Sequence, residues 1–278
     1  MTIDNPVAAT AAPAFTPCII IPVYNHEEAV GKILLQLLPF GYPVLLVNDG
    51  SRPSCQVTLE SLAASHANVD LLQLPVNRGK GAAVKAGLHY AYQRGFSHAL
   101  QIDADGQHRP ADVERFMSAG QQQPEAIICG CPIYDDSVPA LRYYARYLTH
   151  VWIWINSLSF SIKDSMCGYR LYPLHKSIAL LNAEATGNRM DFDSEIMVRW
   201  VWRHGQVVNL PTAVSYPLDG ISHFAPWRDN YLISKMHAKL FFGMLLRSPR
   251  IVSQRLQRRL AGRKKIAQPT SSTARTSR

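Results

Sequence analysis

The sequence predicts an α/β protein with a doubly wound, mostly parallel sheet, and two observations support this prediction. Short apolar runs alternate with segments of helical spacing through the first hundred residues. Four of these apolar runs are each followed directly by a cluster of polar residues. Alternating strands and helices favour a parallel sheet, and ligands bind at the carboxyl ends of its strands. We therefore expect the four polar clusters to line one site.

Four strands are predicted, and the first two are short apolar runs bounded by proline, asparagine and glycine, which is typical of buried parallel strands. The four strands cover Cys18–Val23, Val44–Val47, Val69–Leu74 and Ser97–Ile102. The predicted helices between them cover Glu27–Leu38, Ser54–Ser65 and Gly81–Arg94. The acids that open the first helix are favoured there by the helix dipole.

The second half of the chain is less regular. We predict an aromatic-rich helix, a polar turn and a second helix over Pro139–Ile162, Asp164–Tyr172 and Arg189–Arg203. Short strands over Val207–Leu210 and Ala213–Tyr216 and a helix over Pro226–Leu246 follow. We expect this half to complete the sheet and to build the acceptor side of a cleft.

The bulk properties indicate one large globular domain with short appendages. The 278 residues are 47% hydrophobic, which is enough for a substantial core and excludes a disordered chain. We expect a flexible N-terminus (1–16), a globular domain (17–225), an interfacial helix (226–247) and a disordered basic tail (248–278). No secretory signal and no apolar run long enough to span a membrane are visible. Five scattered cysteines favour reduced thiols and a cytosolic location.

Charge is distributed unevenly along the chain. The formal net charge is +9, but the segment from Asn230 onward holds 12 Lys and Arg residues and no Asp or Glu. The remainder is a mildly acidic body with 17 basic and 20 acidic residues. This asymmetry predicts a polyanionic partner for the tail, either an anionic membrane surface or nucleic acid.

The run DADGQH, from Asp103 to His108, follows the fourth predicted strand and is either a polar turn or a divalent-metal site. Strand alternation places Asp103 and Asp105 on one side and Ala104 on the other. Two such carboxylates repel each other unless a cation lies between them. Oxygen ligands suit Mg²⁺ or Mn²⁺, and Gln107 offers a third oxygen. The position at the last of four polar strand ends favours the metal site, whereas the role of His108 stays open.

Four motifs in order resemble the family-2 glycosyltransferases of the GT-A fold, especially the polyprenyl-phosphate and dolichol-phosphate sugar transferases and related bacterial lipid glycosyltransferases. They are IPVYNHEE from Ile21, VNDGS from Val47, NRGKG from Asn77 and the DADGQH run. The similarity extends from about Pro17 to Trp202. It implies an inverting, metal-dependent enzyme of glycolipid or cell-envelope biosynthesis. The enzyme would move a sugar from a uridine or guanosine diphosphate donor to a lipid-linked acceptor, at the inner face of the cytoplasmic membrane.

The resemblance also implies a donor pocket at the first strand ends. Asp49 would accept hydrogen bonds from the uracil or ribose, and the alternative is an ordinary turn aspartate. The same pocket would contain Pro22, Tyr24, Asn25, Glu27, Asp103 and Ala104, although Glu27 could equally be a first-turn helix charge. Arg78 and Lys80 lie in a glycine-rich loop before a helix, where anions are favoured. They would contact the donor phosphates or position the acidic motif, or form a solvated basic turn.

Further candidates lie in the second half of the chain. The run DSMCGYR ends at Arg170, a candidate for the donor diphosphate or an acceptor phosphate, or else a base that caps the core. Asp105 and Asp193 are the candidate catalytic acids. In the family Asp193 matches a cleft acid that serves as general base for hydroxyl acceptors; a lipid phosphate needs none. His223, on a loop after the last strand, is a candidate for a diphosphate or metal contact, or is exposed to solvent.

The predicted C-terminal helix interleaves aromatic and basic residues, which suits an anionic membrane interface. They are Trp227, Tyr231, Phe241, Phe242 and Leu245, with Lys235, Lys239 and Arg247. The alternative is a helix packed on the body.

Two other function classes fit the sequence less well. A nucleotidyltransferase would carry a glycine- and arginine-rich signature near its first strand, which IPVYNHEE lacks. A nucleic-acid-binding module fits less well, because the positive charge is confined to the tail and no base-stacking motif is present.

Overall fold

A computed structural model of the protein describes residues 14–133, 140–214 and 225–266. The strands are β1 (Pro17–Val23), β2 (Val44–Asp49), β3 (Val69–Leu74), β4 (His98–Gln101), β5 (Ile127–Ile133), β6 (Arg170–Pro173) and β7 (Val207–Ala213). The α-helices are α1 (Glu27–Leu37), α2 (Pro53–Ser65), α3 (Lys80–Gln93), α4 (Val113–Gln122), α5 (Ala140–Ser157), α6 (Leu174–Ala183), α7 (Asp191–Trp202) and α8 (Pro226–Ile266). The elements of the first hundred residues therefore lie where the sequence predicts them, to within a few residues.

The strands form one sheet in the order β3-β2-β1-β4-β6-β5-β7. All neighbours pair in parallel except β6, which is antiparallel to both β4 and β5. The chain runs outward from β1 through β2 to β3 and then crosses back to place β4 on the other side of β1. The predicted doubly wound, mostly parallel sheet is confirmed, and its topological switch point lies between β1 and β4.

Apolar residues on both sides of the sheet form two cores. Along β1, Cys18 and Ile20 belong to the core that includes residues of α3, α5, α6, α7 and α8. Ile19 and Ile21 belong to the opposite core, which includes residues of α1, α2 and α4. This alternation follows the two-residue period of a strand, and burial on both faces explains why β1 and β2 are continuous apolar runs.

Two predictions for the second half were wrong in detail, and two helices were missed. The predicted polar turn over Asp164–Tyr172 ends in β6, which pairs with two strands that are distant in sequence. The predicted strand Val207–Leu210 continues through Pro211 to Ala213 as β7, whereas residues 215 and 216 of the second predicted strand lie outside the described residues. Helices α4 and α6 were not predicted. The reason is tertiary: β6 is a four-residue segment whose ladder partners come from elsewhere in the chain.

The ends of the chain also differ from expectation. Helix α8 continues to Ile266, so residues 248–266, predicted to be disordered, are helical. Residues 1–13 of the predicted flexible N-terminus lie outside the described residues, whereas the Phe15 ring contacts the His98 ring at 4.7 Å. All five cysteines are free thiols, as predicted. Within the described ranges, no helix has the length and hydropathy needed to cross a membrane.

Candidate active site

A lysine and two aspartates from three different elements meet at the carboxyl ends of the strands. Lys80 begins α3, Asp103 follows β4 and Asp193 lies in the first turn of α7. The Lys80 ammonium lies 2.7 Å from Asp103 Oδ2 and 2.8 Å from Asp193 Oδ2. The side chains of Lys80, Asp103 and Asp193 are only 18%, 17% and 5% exposed. One ammonium therefore joins two carboxylates in a poorly hydrated cleft.

Burial and ion pairing shift the pKa values of these groups in opposite directions. Burial opposes ionisation of Asp103, but the charge of Lys80 and the His108 imidazole 3.6 Å away outweigh it and lower the pKa of this carboxyl. Burial likewise works against the charged form of Lys80, but Asp103 and Asp193 raise the pKa of the ammonium well above its ordinary value. Both groups are therefore charged at neutral pH.

Asp105 is the second acid of the DADGQH run and lies close to the first. Burial raises the pKa of Asp105, and the negative charge of Asp103 raises it further. Asp105 Oδ1 accepts a hydrogen bond from the Gln107 amide at 3.1 Å, which closes a local turn. The predicted turn is thus present, and the effect of Asp103 on the pKa of Asp105 shows that the two carboxylates are near each other; that they face one another across a cation stays a prediction.

The side chains of the acidic run meet some of the requirements of a binding site for a hard divalent cation. Two mutually repelling carboxylates and the nearby amide of Gln107 are the ligand types that Mg²⁺ and Mn²⁺ prefer. In the described part of the chain, no group of three or more His, Cys, Asp or Glu side chains is arranged to hold a metal ion. Mg²⁺ commonly takes one or two carboxylates and completes its shell with substrate phosphates and water, so two carboxylates suffice only together with a diphosphate.

Two buried polar atoms at this site have no hydrogen-bond partner among the described residues. They are Asp193 Oδ1 and His108 Nδ1. The other ring nitrogen of His108 lies 3.6 Å from Asp103 Oδ2, and its ring lies 5.2 Å from that of Tyr169. Buried polar groups are normally paired, so these two atoms mark positions where a ligand can bind.

The turn before β6 brings a glycine against the acidic run. A Cβ atom on Gly168 would overlap the carboxylate of Asp103, so only glycine lets the two segments approach this closely. The turn is anchored by Asp164, whose Oδ1 accepts hydrogen bonds from the amides of Met166 and Cys167 at 2.9 and 2.8 Å. Sequence reasoning missed Gly168, although it sits in the DSMCGYR run.

Asp49 holds the glycine-rich loop in place. Its carboxylate accepts hydrogen bonds from the amides of Arg78 and Gly79 at 2.9 and 2.8 Å and from Asn77 Nδ2 at 3.1 Å. Burial raises its pKa despite these contacts. The structure therefore gives Asp49 a role within the chain, and its hydrogen bond to a base or ribose stays a prediction. Asn77 was not singled out from the sequence.

The loop after β1 is tied to the loop after β2. The Asn25 amide donates to Ser51 Oγ at 3.1 Å, and Asn25 Oδ1 accepts from the Arg52 amide at 2.8 Å. Asn25 has a φ of 52°, a conformation that asparagine tolerates better than most residues. Glu27 accepts hydrogen bonds from Arg52 and Ser54, so its charge is paired within the protein. Only Glu27 Oε1 is engaged in this way, and its buried Oε2 has no hydrogen-bond partner among the described residues, so a place for Glu27 in the donor pocket stays a prediction.

The remaining predicted residues differ in their access to the cleft. Pro22 and Tyr24 are partly buried, at the end of β1 and just after it. Ala104 is buried, on the core side of the acidic run as predicted. Arg78 contributes its backbone amide to Asp49. His223 lies outside the described residues.

Arg170 needs a correction. It is fully buried, and its guanidinium donates to the carbonyls of Ser165, Cys167 and Asp193 and to the Tyr172 hydroxyl. The predicted contact with a diphosphate is not the arrangement found, because the side chain has no exposed surface. Arg170 instead caps carbonyl groups of the core, and in doing so it fixes the backbone of Asp193.

The fold and the site together define an α/β transferase of the GT-A type. Its sheet is doubly wound, and a charged cleft lies at the switch point between β1 and β4. Residues 18–188 match the family described as glycosyl transferase family 2. The chain therefore belongs to glycosyl transferase family 2.

Curated relatives in this family carry names of lipid-phosphate sugar transferases. A dolichyl-phosphate beta-glucosyltransferase of Dictyostelium discoideum is 28% identical over 82% of this chain and 74% of its own length. The polyprenol monophosphomannose synthase of Mycolicibacterium smegmatis is 31% identical over 59% of this chain and 64% of its own. The dolichyl-phosphate beta-glucosyltransferase ALG5A of Trichomonas vaginalis is 28% identical, and the match spans only 59% of its length.

Solved structures share the fold at low sequence identity. Glucosyl-3-phosphoglycerate synthase from Mycobacterium tuberculosis superimposes with a TM-score of 0.59 at 13% identity, over 82% of this chain and 79% of that one. The mannosyltransferase PcManGT from Pyrobaculum calidifontis, solved in complex with GDP-Man and Mn²⁺, gives a TM-score of 0.56 at 13% identity, over 84% and 64%. These similarities concern the fold alone.

Proposed function

We propose that this protein transfers a sugar, with inversion, from a nucleotide-diphosphate sugar to a polyprenyl phosphate or a similar lipid-linked acceptor. The observation that carries the proposal is the Lys80–Asp103–Asp193 cluster at the switch point of a family-2 fold. The names of the lipid-phosphate relatives support the acceptor class. Those relatives also contain sequence that this chain does not match, so the substrates are part of the proposal.

The donor side of the site consists of the NRGKG loop and the acidic run. Asp49 fixes the loop backbone, which leaves the Lys80 ammonium at the mouth of the cleft beside the acids. A lysine ammonium is a compact, mobile positive charge that suits a phosphate. Asp103 and Asp105, with Gln107 as a neutral ligand, would hold Mg²⁺ or Mn²⁺, which when bound neutralises negative charge on the departing nucleoside diphosphate.

The acceptor side includes Asp193. Its Oδ2 pairs with Lys80, and its buried Oδ1 is unpaired among the described residues. For a hydroxyl acceptor this oxygen would take the proton as the acceptor attacks the anomeric carbon. A lipid phosphate is already anionic at neutral pH, so with that acceptor Asp193 would orient Lys80 rather than act as a base.

The test is a panel of UDP- and GDP-sugars with polyprenyl phosphate and Mg²⁺ or Mn²⁺, scored by release of nucleoside diphosphate and by sugar recovered in the lipid phase. Turnover with one donor is expected. Asp105→Ala is expected to abolish the metal-dependent turnover. Asp70→Ala removes a half-exposed carboxylate on β3 and serves as the matched control. Release of pyrophosphate would instead indicate a nucleotidyltransferase, and no turnover with any donor would refute the proposal.

The membrane surface is the second part of the proposal. Helix α8 presents large apolar side chains to solvent, with Trp227 93% and Leu246 83% exposed. Helix α5 packs beside it, since the Trp152 and Phe241 rings lie 6.3 Å apart, and it adds exposed Tyr147 and Leu148. Exposed aromatic residues next to a basic segment suit an anionic bilayer surface. We place the protein at the inner face of the cytoplasmic membrane, bound peripherally.

Two of the basic residues assigned to this surface are already engaged. Lys239 pairs with Glu195 at 3.2 Å, and the Arg247 guanidinium lies 4.8 Å from the centre of the Trp202 ring. These two contacts hold α8 against α7. Lys235 and the residues beyond Arg247 would therefore supply the charge that attracts lipid.

Vesicle co-sedimentation tests the surface. The full chain is expected to bind phosphatidylglycerol vesicles, and to bind phosphatidylcholine vesicles weakly. Trp227→Ser with Leu246→Ser should weaken binding, whereas Leu35→Ser, on an apolar residue of α1 that is 61% exposed, should not. Equal binding by all three proteins would exclude α8 as the membrane surface. Preferential binding of RNA or DNA over anionic vesicles would favour nucleic acid as the partner.

A further inference from the structure

Lys80 occupies the position between two carboxylates where a bound cation would be expected. Its ammonium contacts Asp103 Oδ2 and Asp193 Oδ2 at 2.7 and 2.8 Å. In the described part of the chain, no other Lys or Arg forms an ion pair with either acid. We propose that Lys80 is a resident cation that keeps the acidic site closed to free divalent metal, and that it leaves this position only when a nucleoside diphosphate arrives.

Competition for the same oxygen supports this role. Asp103 Oδ2 already accepts from Lys80, and a metal ion on this carboxylate would lie within a few ångströms of the ammonium. Two positive charges that close repel each other in a cleft with little water to screen them. Free Mg²⁺ or Mn²⁺ therefore has to displace Lys80 and leave Asp193 Oδ2 unpaired.

The construction of the loop allows the lysine to change partners. The backbone on both sides of Lys80 is fixed, because the Gly79 amide donates to Asp49 at 2.8 Å and the Ala82 amide donates to the Asn188 carbonyl at 2.9 Å. The lysine side chain itself is a flexible four-carbon stem, so the ammonium can move while the loop stays in place. A diphosphate brings several negative charges to the N-terminal end of α3, where anions are favoured.

This exchange gives the unpaired atom Asp193 Oδ1 a role. With Lys80 in place, Asp193 is neutralised through Oδ2 alone and its other oxygen is buried and unpaired. When the ammonium moves to the diphosphate, the whole Asp193 carboxylate becomes available to the acceptor side. Occupation of the donor site and release of Asp193 are then one event. The inference rests on the proposed function, because it needs a nucleoside diphosphate as ligand.

The test measures Mn²⁺ bound to the full chain with and without saturating UDP or GDP, from the loss of the free-ion EPR signal beyond the loss that the same nucleotide causes without protein. Wild-type protein is expected to bind Mn²⁺ at least about tenfold more weakly alone than with the nucleoside diphosphate, because of the charge of Lys80. Lys80→Met is expected to bind nucleotide-free Mn²⁺ at least about tenfold more tightly than wild type. Lys80→Arg keeps the charge and should bind nucleotide-free Mn²⁺ as weakly as wild type.

Lys85→Met is the matched control, because Lys85 lies on the same helix and donates only to the segment Thr186–Asn188. Its Mn²⁺ affinity should equal that of wild type. The double variant Lys80→Met, Asp193→Asn is measured in parallel. It keeps Asp103 and Asp105 but does not leave two acids without their lysine partner. Its nucleotide-free Mn²⁺ affinity should rise as much as that of Lys80→Met. Nucleotide-free Mn²⁺ affinity equal to that of wild type in both Lys80→Met and the Lys80→Met, Asp193→Asn double variant would overturn the inference. Failure of every form to bind UDP or GDP with Mn²⁺ would refute the proposed function itself.

Discussion

The carboxylate of Asp164 anchors the turn that presents Gly168 to the acidic run, and its replacement by asparagine tests how much this anchor stabilises the fold. Oδ2 pairs with Arg146 at 2.7 Å and lies 3.3 Å from His150 Nε2. Asparagine keeps a carbonyl oxygen for the amides of Met166 and Cys167 but removes the charge. The change therefore isolates the ionic part of the anchor.

The magnitude follows from the pKa of this carboxyl. Burial opposes its ionisation, but His150 and Arg146 outweigh burial and lower the pKa of Asp164 from 3.8 to about 2. Since each pKa unit corresponds to about 1.4 kcal/mol, the ionised group contributes about 2 kcal/mol at neutral pH. A lowered pKa stabilises the fold above 3.8, and the contribution disappears as the pH falls through about 2. At pH 3 about half should remain.

Urea unfolding followed by tryptophan fluorescence measures this difference. Asp164→Asn should lower the free energy of unfolding by about 2 kcal/mol at pH 7 and by about half as much at pH 3. Asp70→Asn, on a carboxylate with 51% of its side chain exposed, should change it by less than about 0.5 kcal/mol. An equal loss at both pH values would refute the assignment, because a purely steric effect of asparagine does not depend on pH.

Three further predictions concern other parts of the molecule. Gly168→Ala places a methyl group against the Asp103 carboxylate and should reduce turnover at least about tenfold with little change in circular dichroism; unchanged turnover would contradict the close approach. His237→Gln keeps an acceptor for Asn156 and removes a buried imidazole whose pKa burial lowers to about 4. Because His237 has a lower pKa in the folded protein than in the unfolded chain, wild type loses stability as the pH falls from 6.5 to 4. In urea titrations, the free energy of unfolding of the variant should fall less over that range. An equal fall in both proteins would contradict this. Asp49→Ala removes three hydrogen bonds to the glycine-rich loop and should lower the free energy of unfolding by about 1–3 kcal/mol; equal protease sensitivity of the loop in both proteins would argue against its anchoring role.

The first half of the fold could be predicted from the sequence because its signals are local. Buried parallel strands are short apolar runs with turn residues at both ends, and β1 and β2 show this pattern. Strand β3, at the edge of the sheet, is interrupted by Asp70 and Gln73. The second half was predicted less well. Strand β6 has only four residues and includes a buried arginine, so neither its length nor its composition marks it as a central strand. Its position depends on ladders to β4 and β5, which no local pattern contains.

The candidate site could likewise be predicted only in part from the sequence. Motif order pointed to Lys80, Asp103 and Asp193 and to the carboxyl ends of the strands, because the residue types that bind phosphates and metals are visible in the sequence. The partners of each group were not visible. That Arg170 bonds to core carbonyls and Glu27 to Arg52 became clear only from their positions in space.

The sequence by itself determined the α/β class, the parallel order of the first strands and the identity of the charged residues, since these follow from the spacing of apolar side chains and from motifs a few residues long. Only the tertiary structure decided that Lys80 joins two aspartates that lie 23 and 113 residues further along the chain, and that a glycine makes room for one of them. It also decided that α8 extends beyond the predicted tail boundary. Distances between side chains that are far apart in sequence depend on how the sheet assembles and how its helices pack. The electrostatic state of this cleft is therefore a property of the folded molecule.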